Sequence, residues 1–329
     1  MAKKEPNDSE VRSIYDLADK TGLATSTISR VLNQRGRISM RTRQRVLAAA
    51  REAGFKPRMS ARQTSVAIVL DRIQFSTYGG FISSVLNHLI EQLAMQELAV
   101  EVYTEKSVGR LTSRFIDAVI ALTWDDSTLQ QLRQLQGVPI VAINRLDLPE
   151  VSAVASDHYQ SGQIVGEYLI QHGHTRIAFL AEEDDWGAKE RQRALFDVIR
   201  ANGHDPLPEM ALFTQHQSIE GTLRQLLAHH PSALFLAGED LALEGTFILT
   251  DKLGVRVPDD LSLIALENTK VSQYTRPPLT TVAQPISKIA QEIMEVILRH
   301  TEVDEHKAEQ RLLENTLIER ESVADARSN

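Results

Sequence analysis

The chain contains no cysteine among its 329 residues, and this absence excludes disulfide bridges, thiolate catalysis and cysteine-ligated metals. It also lacks any run near the ~18 consecutive apolar residues that a membrane-spanning helix needs. The first ten residues, MAKKEPNDSE, have no apolar core of the kind that a secretion signal requires. With 42% hydrophobic and 24% charged residues, the composition is that of a soluble globular protein, and we expect it in the cytoplasm.

Short catalytic motifs are missing as well. The sequence holds no P-loop, no G-x-G-x-x-G and no G-x-S-x-G. The acidic run from Glu182 to Asp185 offers paired carboxylates for acid–base work, but adjacent acids are more typical of a solvated loop. His172 and His174 lack the helical i, i+4 spacing and an obvious third ligand. We therefore expect neither an enzyme nor a metal or cofactor site.

The charge is unevenly distributed along a chain that is long enough for two or three folding units. The net charge is −8, yet residues 1–63 hold 14 Lys and Arg against 6 Asp and Glu. The remainder holds 22 basic against 38 acidic residues. A basic end favours contact with phosphates, whereas an acidic body is repelled by them. The distribution predicts a nucleic-acid-binding segment at the amino end.

The segment 11–33 has the pattern of two short helices joined by a turn. Ile14, Leu17 and Ala18 recur at helical spacing, and Gly22 then permits a left-handed turn. The second helix turns its apolar side chains inward, and its other face carries hydroxyls, an amide and a guanidinium: Thr25, Ser26, Thr27, Ser29, Arg30 and Asn33. This pattern predicts a helix-turn-helix whose second helix enters the major groove of DNA. A helical pair with a merely solvated polar face explains the local charge less well.

A third helix and an α/β body follow. Ser39 is placed to cap a helix that ends at Gly54. From Val66, short apolar runs alternate with amphipathic segments, which predicts parallel sheets in two lobes with a ligand cleft at the carboxyl ends of the strands. The predicted strands are 66–70, 99–103, 117–122, 138–143, 152–155, 176–180, 233–237 and 261–266. The predicted helices of the body are 81–96, 127–135, 159–172, 189–201, 219–229 and 241–253.

Residues 13–33 closely resemble the DNA-binding motif of LacI/GalR-type regulators, and the likeness continues through ISMRTRQRVLAAAREAGFKP at 38–57. Fragments similar to the effector core of that family are VPIVAINR (138–145), GHTRIAFL (173–180), VPDDLSLIALEN (257–268) and PPLTTVAQP (277–285). The resemblance implies an all-α headpiece at 1–56, a hinge at 57–64 and an α/β, periplasmic-binding-protein-like core at 65–323. It further implies an N-lobe of about 65–155 and 281–311 and a C-lobe of about 156–280 and 312–323.

Three segments depart from the family pattern. Ala24 replaces the usual capping Ser of the second helix, so Thr25 or Ser26 should take over the cap and shift the helix start by one residue. The hinge retains Met59 as its one large apolar side chain, which could wedge into the minor groove beside Arg62; a plain linker is equally compatible. The segment 105–116 is shorter than usual, so we expect one N-lobe helix to be trimmed.

The DNA contacts follow from chemistry and position. Thr25, Ser26 and Arg30 are the candidates for base edges, with Arg30 suited to guanine. The candidates for phosphate contacts are Ser13, Thr27, Ser29, Asn33, Ser39 and Thr42.

The candidate effector contacts are polar and aromatic residues near strand ends. They are Asp71, Phe75, Tyr78, Asn144, Asp157, Trp186, Arg191, His216, Asp240 and Glu267. The resemblance places Arg191 and Glu267 at usual effector positions. Each residue has a structural alternative: Asp240 could only cap a helix, Trp186 could only pack, and Arg191 could be solvated.

Together these patterns predict an allosteric transcription regulator, most simply a repressor. It would bind a pseudo-palindromic operator as a homodimer, without a membrane. The resemblance implies a sugar or sugar derivative as effector, and a purine or another metabolite is the alternative. The alternative from a different functional class is a DNA-binding dimer whose core no longer responds to a ligand. The tail after Leu317 has no heptads, which argues against a coiled-coil tetramer.

Overall fold

The computed structural model describes residues 13–32, 38–53, 55, 64–70, 80–135, 137–182, 184–214, 217–302 and 307–326. These residues belong to two compact units. The first unit draws on the ranges Met1–Gln74, Leu89–Val154 and Gln291–Gln310, and the second on Phe75–His88, Ala155–Ala290 and Arg311–Asn329. None of the described helices is both long and apolar enough to cross a membrane.

Three helices open the first unit: α1 (Ile14–Thr21), α2 (Thr25–Leu32) and α3 (Met40–Glu52). Ser13 begins α1 with a capping box, in which Ser13 and Asp16 each accept a backbone N–H from the other. Gly22 ends α1 with φ +64°, the left-handed conformation predicted for it. The apolar faces close a common core in which the following side chains are at most 1% exposed: Leu17, Ile28, Val31, Val46, Leu47 and Ala50.

The start of α2 differs from the prediction. The helix begins at Thr25, directly after Ala24, and is not shifted by a residue. The Ala24 carbonyl accepts from the backbone N–H groups of Thr27 and Ile28, at 2.8 and 3.1 Å. The first turn therefore closes on Ala24 itself, because the helical hydrogen bonds need its carbonyl and not a hydroxyl side chain.

A mostly parallel six-stranded sheet lies largely in the first unit. Its strands are β1 (Ser65–Leu70), β2 (Ala99–Thr104), β3 (Ala118–Leu122), β4 (Ile140–Ile143), β5 (Ser152–Ser156) and β11 (Gln310–Leu313), in the order β11-β5-β4-β3-β1-β2. The pairs β1–β2, β1–β3, β3–β4 and β4–β5 are parallel. The accompanying helices are α4 (Gly80–Met95), α5 (Asp126–Arg133) and α10 (Ile286–Glu302). Between β2 and β3 the chain forms only a 3-10 helix, Val108–Ser113, which is the trimmed element that the sequence predicted.

The second sheet belongs to the second unit. Its strands are β6 (Ile177–Ala181), β7 (Ala211–Phe213), β8 (Ala233–Leu236), β9 (Ser262–Glu267), β10 (Thr280–Ala283) and β12 (Thr316–Ile318), in the order β12-β10-β9-β8-β6-β7. Only the β10–β12 pair is antiparallel. Its helices are α6 (His158–Gln171), α7 (Trp186–Ala201), α8 (Ile219–Leu227) and α9 (Glu239–Phe247). A π-helical turn at Ile248–Lys252 follows α9, and 3-10 turns lie at Pro208–Met210, before β7, and at Lys270–Tyr274, after β9.

All eight predicted strands are present, and the two-sheet α/β architecture is as expected. The sequence did not predict the short strands β7, β10, β11 and β12 or the helix α10. The four strands are three or four residues long, and β11, which reads Gln-Arg-Leu-Leu, has no apolar alternation to reveal it. Helix α7 begins at Trp186 and not at 189, because Asp185 accepts the Ala188 backbone N–H and caps it there.

Candidate functional sites

Helix α2 presents its polar side chains outward. Ser26 and Arg30 are exposed and Thr25, Thr27 and Ser29 are half-buried, whereas the apolar residues of the same helix lie in the core. A guanidinium can bond two acceptors on guanine, and a hydroxyl can donate to or accept from a base edge or a phosphate. The predicted base-reading residues therefore lie together on one accessible surface of the headpiece.

Two of the residues predicted to contact phosphate, Ser13 and Ser39, also cap helices. The Ser13 hydroxyl oxygen accepts the Asp16 backbone N–H at 3.3 Å, and the Ser39 oxygen accepts that of Thr42 at 3.2 Å. The Ser39 and Thr42 hydroxyls also bond each other at 2.8 Å. A capping oxygen accepts a bond, so the Ser13 proton is still available to donate to a phosphate oxygen. Asn33 and the hinge candidates Met59 and Arg62 lie outside the described residues.

Within the first unit, the carboxyl end of α3 contacts the segment 108–115, which we call the headpiece seat. Arg51 Nη2 donates to two carbonyls of the seat, those of Leu111 at 3.1 Å and Arg114 at 2.7 Å. Phe115, 9% exposed, packs into the headpiece core, and burial lowers the pKa of Arg51. Sequence reasoning missed this contact, because nothing in the local pattern of the 3-10 segment indicates a partner on another element.

The second unit holds a buried polar cluster at the start of α7. Arg191 is 7% exposed, and its Nη2 donates to Nδ1 of His158 at 2.9 Å. Half-buried Trp186 meets the His158 ring edge-to-face, with 5.2 Å between ring centroids. Burial, together with the nearby Arg191 cation, lowers the pKa of His158 well below its ordinary value, so this imidazole is neutral. The alternative of a solvated Arg191 is wrong.

Glu267 ends strand β9 and is 3% exposed. Its Oε2 accepts from the Thr281 hydroxyl at 2.7 Å and from Arg320 Nη2 at 3.1 Å. Its Oε1 is buried and has no hydrogen-bond partner within the described part of the chain. One oxygen therefore anchors the carboxylate to the fold, and the other is available as an acceptor. Sequence reasoning missed three residues of these two clusters: His158, Thr281 and Arg320.

The remaining predicted effector residues divide into three groups. Asp157 caps α6 by accepting the Gln160 backbone N–H at 2.8 Å, and Asp240 is the second residue of α9, whose N-cap is Gly238. Asn144 belongs to the first unit, is buried and adopts a left-handed backbone with φ +54°. The others lie outside the described residues: Asp71, Phe75, Tyr78 and His216.

The acidic run and the two histidines have structural partners. Asp184 pairs with Lys189 at 3.2 Å, and Asp185 caps α7. His172 bonds Asp325 at 2.9 Å, while the two ring nitrogens of His174 bond Ser232 and a backbone carbonyl. Within the described ranges, no group of three His, Asp or Glu side chains is placed to hold a metal ion.

Comparisons with known proteins match both parts of the chain. The model "Bacterial regulatory proteins, lacI family" matches residues 13–58, and "Periplasmic binding protein-like domain" matches 167–323. The repressor PurR of Klebsiella pneumoniae subsp. pneumoniae is 25% identical over 340 residues, covering 95% of this chain and 97% of PurR. The regulator DegA of Bacillus subtilis is 29% identical over 302 residues, covering 85% and 88%.

Solved structures agree in fold. The complex of the transcriptional regulator CelR with cellobiose gives a TM-score of 0.72 at 26% identity, covering 94% of this chain and 99% of CelR. The lac repressor dimer bound to operator and an anti-inducer gives 0.70 at 22% identity, covering 95% and 99%. With a helix-turn-helix at the amino end and a periplasmic-binding-protein-like α/β body after it, the chain belongs to the lacI family of bacterial regulatory proteins.

Proposed function

We propose that this protein is a transcriptional repressor that binds a pseudo-palindromic operator as a homodimer and changes its affinity when a small molecule binds its core. The headpiece would be 1–56, the hinge 57–64 and the core 65–323. The observation that carries the proposal is the accessible row of hydroxyls and one guanidinium on α2. One headpiece contacts few bases, whereas two related by a two-fold axis read both halves of a palindrome.

The surface of the first unit supports a second copy as partner. Val100 and Val102 are 37% and 53% exposed, and they lie on one face of β2 because they are two residues apart. Strand β2 is the edge of its sheet, and the preceding helix α4 exposes Ile90 and Met95. Exposed apolar side chains around a free strand edge favour self-association. Val102→Glu should therefore yield a monomer in sedimentation velocity and weaken operator binding.

The chemistry of the second unit supports a sugar or sugar derivative as effector. Arg191 supplies several N–H donors, Glu267 Oε1 accepts from hydroxyls, and the Trp186 ring offers a face to the C–H side of a sugar ring. The CelR complex, whose ligand is cellobiose, supports the same class. We place the effector at the carboxyl ends of the strands, where sheets of this topology bind ligands.

Selection of binding sites from a random duplex library tests the DNA-binding role. The full chain should select a palindromic sequence and prefer it over random duplex about 10³-fold or more at moderate salt. Arg30→Ala should reduce that preference. The control is Arg41→Ala, at an exposed position in the first turn of α3, which should weaken binding to all duplexes equally. A uniform loss for Arg30→Ala would contradict its role, and no selected sequence would contradict the function itself.

A further inference from the structure

The start of α7 contains a buried cation that no carboxylate of the described residues pairs with. Arg191 is 7% exposed, and its one described hydrogen bond goes to His158, an uncharged acceptor. The acid whose charge acts on it, Asp185, is engaged as the cap of α7. Burial lowers the pKa of Arg191 to about 10, so the guanidinium stays charged at neutral pH. A buried charge without a counter-charge is costly to the folded protein.

The orientation of Arg191 is fixed by packing. His158 is 3% exposed, and its Nδ1 accepts the hydrogen bond from Arg191 Nη2. A Cβ atom added to Gly187 would lie 3.0 Å from Nε2 of His158 and 3.4 Å from Nη1 of Arg191. Only a glycine lets the first turn of α7 approach both side chains so closely. The guanidinium is therefore pre-positioned beside the positive end of a 16-residue helix.

One donor of this guanidinium is unused. Arg191 Nε is buried and has no hydrogen-bond partner within the described residues. An unsatisfied buried N–H on a charged group costs more than a neutral one, and a bound acceptor removes that cost. The unused donor, the unpaired charge and the helix start all favour the same kind of ligand atom, an oxygen carrying negative charge.

We propose that the effector carries a phosphate or carboxylate group, which Arg191 binds at the start of α7. This inference rests on the proposed function, since it assumes that the core takes a small molecule. Glu267 completes the assignment. The ends of β6 and β9 are separated by β8 alone, hence by about 10 Å, and Glu267 Oε1 accepts bonds but repels anions. A sugar phosphate or sugar acid meets both demands, with its anion at Arg191 and its hydroxyls at Glu267.

Matched pairs of compounds test the proposal with the full chain at constant ionic strength. The pairs are ribose with ribose 5-phosphate, glucose with glucose 6-phosphate, and glucose with gluconate; inorganic phosphate is the minimal anion. We expect at least one anionic member to raise the Tm by about 3 °C or more at a concentration far above its Kd, and its neutral partner to raise it less. Comparison of the sugar phosphates with gluconate shows whether the anionic group is a phosphate or a carboxylate.

Variants on α7 make the test specific. Arg191→Gln retains a donor for His158 but loses the charge, and it should weaken the anionic compound about 10- to 100-fold in calorimetric titration. Arg193→Gln is the control, because Arg193 lies on the same helix but is exposed and paired with Glu190. It should bind like the unchanged protein. The Tm of Arg191→Gln without ligand should not fall, because the substitution removes an unpaired buried charge.

Three results would overturn the assignment. The first is an equal rise in Tm with the neutral and the anionic member of each pair. The second is unchanged affinity of Arg191→Gln for the anionic compound, and the third is no rise in Tm with any anionic compound. Operator binding measured in the same samples separates this failure from that of the proposed function. If only a neutral compound altered the operator affinity, the proposed repressor function would stand and the proposed anionic effector would be wrong. If the protein had no DNA sequence preference, the proposed function itself would be wrong.

Discussion

The headpiece and the effector region of the second unit are built in opposite ways. The base-reading candidates all lie within one eight-residue helix, and the same 3.6-residue period that buries Ile28 and Val31 turns them outward. The cluster around Arg191 instead combines side chains from α6 and α7, and the Glu267 cluster combines β9, β10 and the segment after β12. A site on one helix is specified by local sequence, whereas an assembled site depends on the packing of distant segments.

The largest expected effect separates the two regions by stability. Leu17 is fully buried in the headpiece core, and Leu17→Ala should cost about 3 to 4 kcal/mol of folding free energy there. DNA binding should be lost while thermal unfolding of the second unit is unchanged. Tyr15→Ala, at a position 67% exposed on the same helix, is the control and should retain binding. Unfolding of the whole chain in one shifted transition would contradict this independence.

The assembled region should be sensitive to loss of a single partner. Arg320→Met leaves the buried Glu267 carboxylate without its cation, which should cost about 3 kcal/mol in denaturant unfolding of the second unit. The matched substitution Arg256→Met breaks the exposed pair with Asp260 and should change the free energy of unfolding far less, because solvent screens an exposed ion pair. Equal costs for the two variants would show that the Glu267 cluster contributes no more than a surface pair.

A pH effect of intermediate size should follow from His158. Its folded pKa is lowered by burial, so the unfolded state binds the proton first and stability falls as the pH drops below about 6.5. Between pH 7.5 and 5.5 this residue should lower the free energy of unfolding by on the order of 1 kcal/mol. His158→Gln should remove that part of the pH dependence and leave the contribution of His174, whose pKa is also lowered. An unchanged pH profile would mean that the pKa of His158 is the same in the folded and the unfolded protein.

The smallest expected effect concerns the first turn of α2. Ala24→Ser restores a capping oxygen for the N–H groups at the start of α2 and should stabilise the headpiece by about 0.5 to 1 kcal/mol. Ser39→Ala, which removes the observed cap of α3, should destabilise it by a similar amount. Headpiece melting followed by circular dichroism measures both. A loss of stability in Ala24→Ser would mean that the backbone at residue 24 cannot hold a cap.

Prediction from sequence succeeded where the signal is local. The turn at Gly22 and the cap at Ser39 follow from residue type and spacing, and the trimmed segment before β3 follows from the length compared with the family pattern. It failed for β10 and β12, because strands of three or four residues are defined by their neighbours rather than by their own pattern. The role of His158 was also beyond reach, since one histidine at a helix start carries no sign of a partner 33 residues away.

The two hydrogen bonds from Arg51 to carbonyl oxygens of the seat attach the headpiece to the segment 108–115, in addition to the covalent chain. Helix α3 has 13 residues and is therefore about 20 Å long, so a small change of its angle at the seat would be amplified at its far end. A tilt of about 5° at that pivot displaces the far end by about 2 Å, roughly half of the 3.4 Å rise between base pairs. Under the proposed function, a rotation that leaves every strand pairing unchanged would thus shift the headpiece by a sizeable fraction of the base-pair spacing of its operator.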